Sequence, residues 1–78
     1  MLKRELKLIV TFHTSSEAMA TEKACKDASI KGQLISAPRN LTSDCGISYA
    51  AEIADKEKIE HLLKSKNIEY DRMVEVEV

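Results

Sequence analysis

The sequence has 78 residues, 44% hydrophobic and 32% charged, and its 12 basic and 13 acidic residues leave a net charge of -1. This size and balance predict one small globular domain over residues 1–78 and exclude a disordered chain. They also argue against a nucleic-acid partner, which requires a basic face. No apolar run is long enough for a membrane span and nothing resembles a signal peptide, so with only two cysteines we expect a cytoplasmic protein.

The first two predicted elements are a strand and a helix. Apolar and polar residues alternate over Leu6–Phe12, which is the period of a half-buried strand. Thr14 with Glu17 three residues later is a capping-box pattern and predicts a helix over residues 15–29, with Gly32 as its C-terminal stop. Small side chains on one face of this helix would let it lie close to a sheet: Ala18, Thr21, Cys25 and Ala28.

Two strands and a second helix follow. Residues 33–37 predict a short second strand, which Pro38 ends because proline has no amide donor. A third strand is predicted over residues 47–53, where apolar residues alternate with small or polar ones. Asp55 is a favourable N-cap for a second helix over residues 56–66, and Asn67 is its predicted left-handed stop.

The last predicted strand, residues 70–78, alternates valines with Met73, Glu75 and Glu77. Acidic side chains along one side are typical of a solvated edge strand that avoids pairing with other chains. We therefore expect them on a mostly polar sheet face that carries no helix. That face would allow a monomer or a weak homodimer through a few less polar residues: Ile9, Ala50 and Met73.

The element order is therefore βαββαβ, which predicts an α+β fold. In a single antiparallel sheet, right-handed crossovers give a ferredoxin-like sandwich with strand order 4-1-3-2 and both helices on one face. Strands 1 and 2 then point the same way, so their carboxyl ends share one rim. That rim would gather the turn at residues 12–16 and the loop at residues 39–45.

The segment Pro38–Ile47 carries the candidate chemistry. We expect Cys45 to be an accessible thiol, because loops run over the surface, and a nearby positive helix end would favour its thiolate. Position alone equally allows a half-buried Cys45 that begins a strand and a solvated Arg39, whereas Thr42 and Ser43 are of types that more often form turns than catalyse. Cys25, on the inner helix face, is expected in the core. The binding residues predicted around Cys45 are Arg39, Thr42, Ser43, Gly46, His13 and Thr14.

Several chemistries lack their residue patterns. The sequence has no CxxC pair, no spacing of cysteines and histidines that suits a metal, and no glycine-rich phosphate loop. It also lacks the stacked aromatic residues of an RNA-binding sheet. We therefore expect no metal and no cofactor.

The segment Pro38–Ile47 resembles a family of small bacterial Se/S (selenium/sulfur) carrier-like domains, whose pattern runs from Pro-Arg through a hydrophobic residue and a hydroxyl to Cys-Gly. The likeness extends over most of the chain, including Ile9–Phe12, Glu17–Met19 and Asn67–Tyr70. The resemblance implies that Cys45 holds sulfur or selenium as a persulfide or selenopersulfide. It also implies a donor, such as a cysteine desulfurase, and an acceptor protein, and it favours a carrier over an enzyme.

Two other classes of function stay open on the residues alone. In the first, the chain is a small-molecule or protein-binding module in which Cys45 is incidental. In the second, it is a thiol enzyme, although His13 is the only candidate for the general base that such an enzyme needs. Replacing Cys45 by serine separates the classes, because it would abolish a carrier and leave a binding module intact.

Overall fold

The computed structural model describes residues 6–36 and 46–77. Four strands form one antiparallel sheet in the order β2-β3-β1-β4, so the predicted order 4-1-3-2 and the α+β class are confirmed. The elements in chain order are β1 (Leu6–Thr11), α1 (Ser15–Asp27), β2 (Gly32–Ser36), β3 (Ile47–Glu52), a short 3₁₀ turn (Ile53–Asp55), α2 (Lys56–Ser65) and β4 (Arg72–Glu77).

Both helices pack on the same face of the sheet, as the sequence predicts. Leu8 and Val10 of β1 form one buried cluster with Cys25 of α1 and with Ile59 and Leu63 of α2. Since residues two apart on a strand share a face, this cluster identifies the helix-covered side of the sheet. Burying these apolar side chains is the main stabilising contribution to a fold of this size.

Helix α1 begins where the capping box predicts. The Thr14 hydroxyl accepts a hydrogen bond from the Glu17 amide at 3.2 Å, and the Glu17 carboxylate accepts one from the Thr14 amide at 3.2 Å. The helix ends earlier than expected, because Ser29 takes the left-handed conformation with φ 60° and the Ile30 amide bonds back to the Cys25 carbonyl. In the buried stripe Ala24 takes the place predicted for Ala28, which is exposed.

Gly32 is not the helix stop that the sequence predicts, but the first residue of β2. A Cβ atom at this position would collide with the Tyr49 hydroxyl and would lie 2.7 Å from the Ala50 carbonyl oxygen. The glycine is therefore required by the close approach of the β3 side chain and backbone.

The side on which β4 presents its residues corrects a prediction. Met73 pairs with Val10 and Glu75 with Leu8, so both lie on the helix-covered side, and Met73 packs against the core. The alternation correctly predicts a strand, but the predicted face is wrong, because a period of two does not say which set of residues points inward. Glu75 stays exposed at the sheet edge. The face without helices instead receives Val74 and Val76.

Helix α2 covers nearly the predicted range. Asp55 occupies its N-cap position without a side-chain capping bond, and its carboxylate lies 3.9 Å from the Lys58 ammonium. At the other end Asn67 has φ 54°, as expected for a left-handed helix stop. The Ile68 amide then bonds to the Leu63 carbonyl at 2.9 Å, which turns the chain back toward β4.

Candidate functional site

The candidate site lies at one end of the sheet. Strands β1 and β2 are both antiparallel to β3, so they run parallel to each other and end at the same rim. This rim contains the turn His13–Ser16, Gly46 and the connection Lys66–Asp71. A depression of about 460 Å³ joins the start of α1 to the end of α2 there, lined by Ser16, Glu17, Ala20, Lys66, Asn67, Ile68 and Glu69.

The start of α1 is less positive than a bare helix end. The Glu17 carboxylate accepts hydrogen bonds from the backbone amides of His13, at 3.0 Å, and Thr14. Its charge partly offsets the positive end of the helix dipole. The Thr14 hydroxyl uses its oxygen as the cap and keeps its O–H group as a donor.

Gly46 begins the described chain on the far side of the loop, directly after Cys45 in sequence. It has φ 70°, and a Cβ atom placed on it would meet nothing within 4 Å. The positive φ, more than a shortage of space, therefore explains the glycine. If the β1–β3 register, which ends with Thr11 opposite Ser48, is continued by two residues, Gly46 falls across from His13.

A polar cluster that the sequence did not predict lies at the same end of the sheet, on the face without helices. The Thr11 hydroxyl accepts a hydrogen bond from the Arg72 amide at 3.1 Å and lies 3.4 Å from the Asp71 carboxylate, to which it donates. Ser48, its cross-strand neighbour, is fully buried, and its hydroxyl has no hydrogen-bond partner within residues 6–36 and 46–77. Alternation along β1 and β3 does not show that these two polar side chains are buried.

Cys25 lies in the core, as predicted, and is 0% exposed. Burial raises the pKa of its thiol above the ordinary value, although the hydrogen bond from Tyr49 lowers it and the Asp55 charge raises it further. Burial also raises the pKa of the Tyr49 hydroxyl, and the bond to Cys25 adds to that increase. A thiol that stays protonated and meets no solvent is a poor nucleophile.

Three of the seven predicted site residues are therefore described, and they share the rim: His13, Thr14 and Gly46. His13 is exposed there. The other four, Arg39, Thr42, Ser43 and Cys45, lie outside the described residues.

Two further properties of the described ranges bear on the function. Across residues 6–36 and 46–77, His, Cys, Asp and Glu side chains form no group of three that would hold a metal ion. In the same part of the chain, neither helix has the length and apolar character needed to cross a membrane.

The fold and the rim define a small α+β domain whose core thiol is shielded and whose second cysteine lies in sequence beside a glycine of the rim. The sequence matches the family described as "Putative Se/S carrier protein-like" over residues 7–75. The chain belongs to this family. No curated protein matches it.

Proposed function

We propose that this protein carries sulfur or selenium on Cys45, as a persulfide or selenopersulfide, and delivers it to an acceptor protein. The observation that carries the proposal is the family match over residues 7–75, which spans the Cys45-Gly46 pair. The sequence contains only two cysteines, and Cys25 is buried with a raised thiol pKa. Thiol chemistry is therefore assigned to Cys45, in the reducing environment of the cytoplasm.

The proposed loading step is a thiol–persulfide exchange. The Cys45 thiolate attacks the terminal sulfur of a donor persulfide, for example on a cysteine desulfurase, and the donor's S–S bond breaks. Cys45 then holds the persulfide, and the donor leaves as a thiolate. Hydrogen selenide can displace the terminal sulfur as hydrosulfide to give the selenopersulfide, and an acceptor thiolate removes the cargo by the same exchange.

Features of the rim support this reaction. The open space beside Gly46 would let a donor or acceptor approach the preceding residue. A single accessible cysteine without a resolving partner keeps its cargo, because no neighbouring thiol can expel it. No cofactor is required, since the cysteine itself holds the transferred atom.

The direct test is incubation with a cysteine desulfurase and cysteine, with and without selenide, followed by intact-mass measurement without reductant. Wild type and Cys25→Ser should gain one sulfur or selenium atom, and Cys45→Ser should gain none. Reductant should remove the addition. Addition that survives in Cys45→Ser but is lost in Cys25→Ser would refute the assignment. The absence of addition in every variant would leave the binding module as the better explanation.

Arg39 is proposed to stabilise the loaded anion. Loss of a charge-assisted hydrogen bond in Arg39→Ala should weaken loading by about 1.5–3 kcal/mol, which is roughly 10- to 150-fold. Lys31→Ala is the matched control, because it removes an exposed cation just before β2, at the other end of the sheet. Equal loading of wild type and Arg39→Ala would remove Arg39 from the site.

One observation favours the alternative function, a small-molecule binding module of ferredoxin-like fold. A depression of about 480 Å³ lies at the end of the sheet opposite the rim, lined by Lys7, Lys31, Gly32, Gln33, Ile35, Ala50, Ala51 and Glu52. Its volume is within the range of ligand sites. Two of its lining residues already neutralise each other, since the Lys7 ammonium lies 2.7 Å from the Glu52 carboxylate. This alternative predicts full function in Cys45→Ser.

A further inference from the structure

The two outer strands of the sheet differ in how well they are protected from pairing. Strands β2 and β4 are its edges, and no other strand within residues 6–36 and 46–77 pairs with their outer sides. An exposed strand edge is a template for another strand unless charges, proline or a cover protect it. Strand β4 carries exposed Glu75 and Glu77, whereas the sequence of β2, Gly-Gln-Leu-Ile-Ser, contains no charge.

The hydrogen-bond pattern identifies the unpaired backbone groups of β2. The Thr11 carbonyl accepts from Asp71, so the backbone of Thr11, and by alternation that of Ile9, faces β4. Ala50 is the partner of Ile9 in β3, so the backbone amide and carbonyl of Ala50 must point toward β2. The position of the Ala50 carbonyl oxygen agrees with this, because it would lie only 2.7 Å from a Cβ atom on residue 32 of β2.

The same alternation shows which residues of β2 direct their backbone amides and carbonyls away from the sheet. Gln33 pairs with Ala50 and Ile35 with Ser48, so these two residues bond to β3. The amides and carbonyls of the intervening residues point away from the sheet. Within the described part of the chain these groups have no backbone partner: Gly32, Leu34 and Ser36.

We propose that two copies of this protein associate through β2, which pairs antiparallel with β2 of the second copy about a two-fold axis at Leu34. In this register Leu34 pairs with Leu34 of the second copy, and Gly32 pairs with Ser36 of the second copy. All three outward-facing residues are then paired at once, and the sheet grows from four strands to eight. The proposal concerns assembly and does not depend on the chemistry of the carrier.

Helix α1 fits this arrangement. It contacts both β2 and β3 and therefore lies above the space between them. With strands about 4.8 Å apart, its axis would lie about 5 Å from the two-fold axis, and the two α1 helices would be about 10 Å apart. That distance is within the range for packed helices.

The large hydrophobic side chain that α1 exposes, Met19, lies toward this interface. Glu22 and Lys26 line a depression beside Gly32, so their stripe of the helix lies toward the β2 edge. Met19 is three residues before Glu22, on the same stripe, and is 60% exposed. Leu34 lies two residues, about 7 Å, beyond Gly32 in β2, and Met19 lies about 4.5 Å back along α1 from Glu22 and about 10.5 Å back from Lys26, so Leu34 is about level with Met19. Met19 of one copy would therefore contact Met19 of the second copy, above the paired Leu34 residues.

Charge does not oppose the association. With Met19 at the two-fold axis, Glu22 of one copy is about 9 Å along the helix direction from Glu22 of the other, so these carboxylates do not face each other. The alternative pairing through β4 would place like charges opposite each other, which destabilises a sheet. The interface combines one short strand and one helix stripe from each copy. Its small size predicts a dimer that depends on protein concentration.

Sedimentation equilibrium of the full chain tests the proposal, from about 10 μM to about 1 mM. The average mass of the wild type should rise from 8.7 kDa toward twice that value. Ser36→Pro removes an outward amide and leaves the bonds to β3 intact, and Met19→Lys adds a charge at an exposed position. Each should weaken dimerisation by at least about tenfold.

Glu75→Pro is the matched control, because it removes an outward amide from the opposite edge and should leave dimerisation unchanged. Circular dichroism of each variant verifies that the fold is intact. In the wild type, exchange of the Leu34 amide with solvent should slow as the concentration rises. A wild type that stays monomeric over the whole range, or equal weakening by Ser36→Pro and Glu75→Pro, would overturn the proposal.

Discussion

The core beneath α1 and the rim at the end of the sheet offer two different environments for a cysteine. In the core, Cys25 is fully buried and accepts a hydrogen bond from Tyr49, which packs against Gly32. At the rim, a Cβ atom on Gly46 would meet nothing within 4 Å, and His13 is exposed. The same side chain is inert in an apolar enclosure and reactive where water and a partner reach it. The surroundings of Cys25 therefore make it a packing residue.

The largest expected effect is on alkylation. In the native protein Cys45 should react with iodoacetamide at least about a thousandfold faster than Cys25, because Cys25 must wait for a local opening that costs about 4 kcal/mol or more. Peptide mass spectrometry after a time series gives both rates. In denaturant the two rates should converge, which is the control for intrinsic reactivity. A native Cys25 that reacts as fast as Cys45 would contradict the comparison.

Gly32→Ala should lower the free energy of unfolding by about 2–3 kcal/mol, since the added methyl group collides with the Tyr49 hydroxyl and approaches the β3 backbone. Urea denaturation followed by circular dichroism measures the change.

Gly46→Ala is the matched control at the rim. Its methyl group meets open space, and only the φ of 70° opposes it, so the loss should be about 1–2 kcal/mol. A larger loss in Gly46→Ala than in Gly32→Ala would reverse our assignment of the tight and the open region.

The pH dependence of stability should reveal the core thiol. Burial raises the pKa of Cys25 above the ordinary value of 9.0, so above about pH 9 the unfolded chain releases a proton that the folded chain keeps. Its contribution to stability is complete below that pH and falls as the pH rises, by up to about 1.4 kcal/mol per pH unit.

Urea denaturation at about pH 7 and about pH 10 measures this loss. Cys25→Ala should show a smaller decrease than the wild type, because the alanine has no proton to release. Equal decreases in the two proteins would mean that the folded state does not hold the Cys25 proton.

The smallest expected effect is at the rim itself. Thr14→Ala removes the hydroxyl that accepts the Glu17 amide and should lower the free energy of unfolding by about 1 kcal/mol. Thr14→Ser keeps the cap and is the control. If the serine variant loses as much stability as the alanine variant, the methyl group of Thr14 matters more than its hydroxyl.

Local signals explain what the sequence by itself determined. Alternation from Leu6 to Phe12, the Thr14–Glu17 capping box and Asn67 at the end of α2 all act within a few residues, and each predicted element is present. The strand order also followed from the sequence, because short connections and right-handed crossovers leave few arrangements for βαββαβ. Of the candidate site, the placement of His13, Thr14 and Gly46 at one rim was predictable from this topology.

Contacts between distant residues decided the rest. The register with β1 placed Met73 inward beside Val10, whereas alternation alone left the face of β4 open. The cluster of Thr11, Ser48 and Asp71 brings together β1, β3 and the residue just before β4, which are far apart in sequence. Gly32 is a glycine because Tyr49, 17 positions along the chain, fills the space where its side chain would be. A propensity describes one segment of chain, and these positions depend on two or three segments packed together.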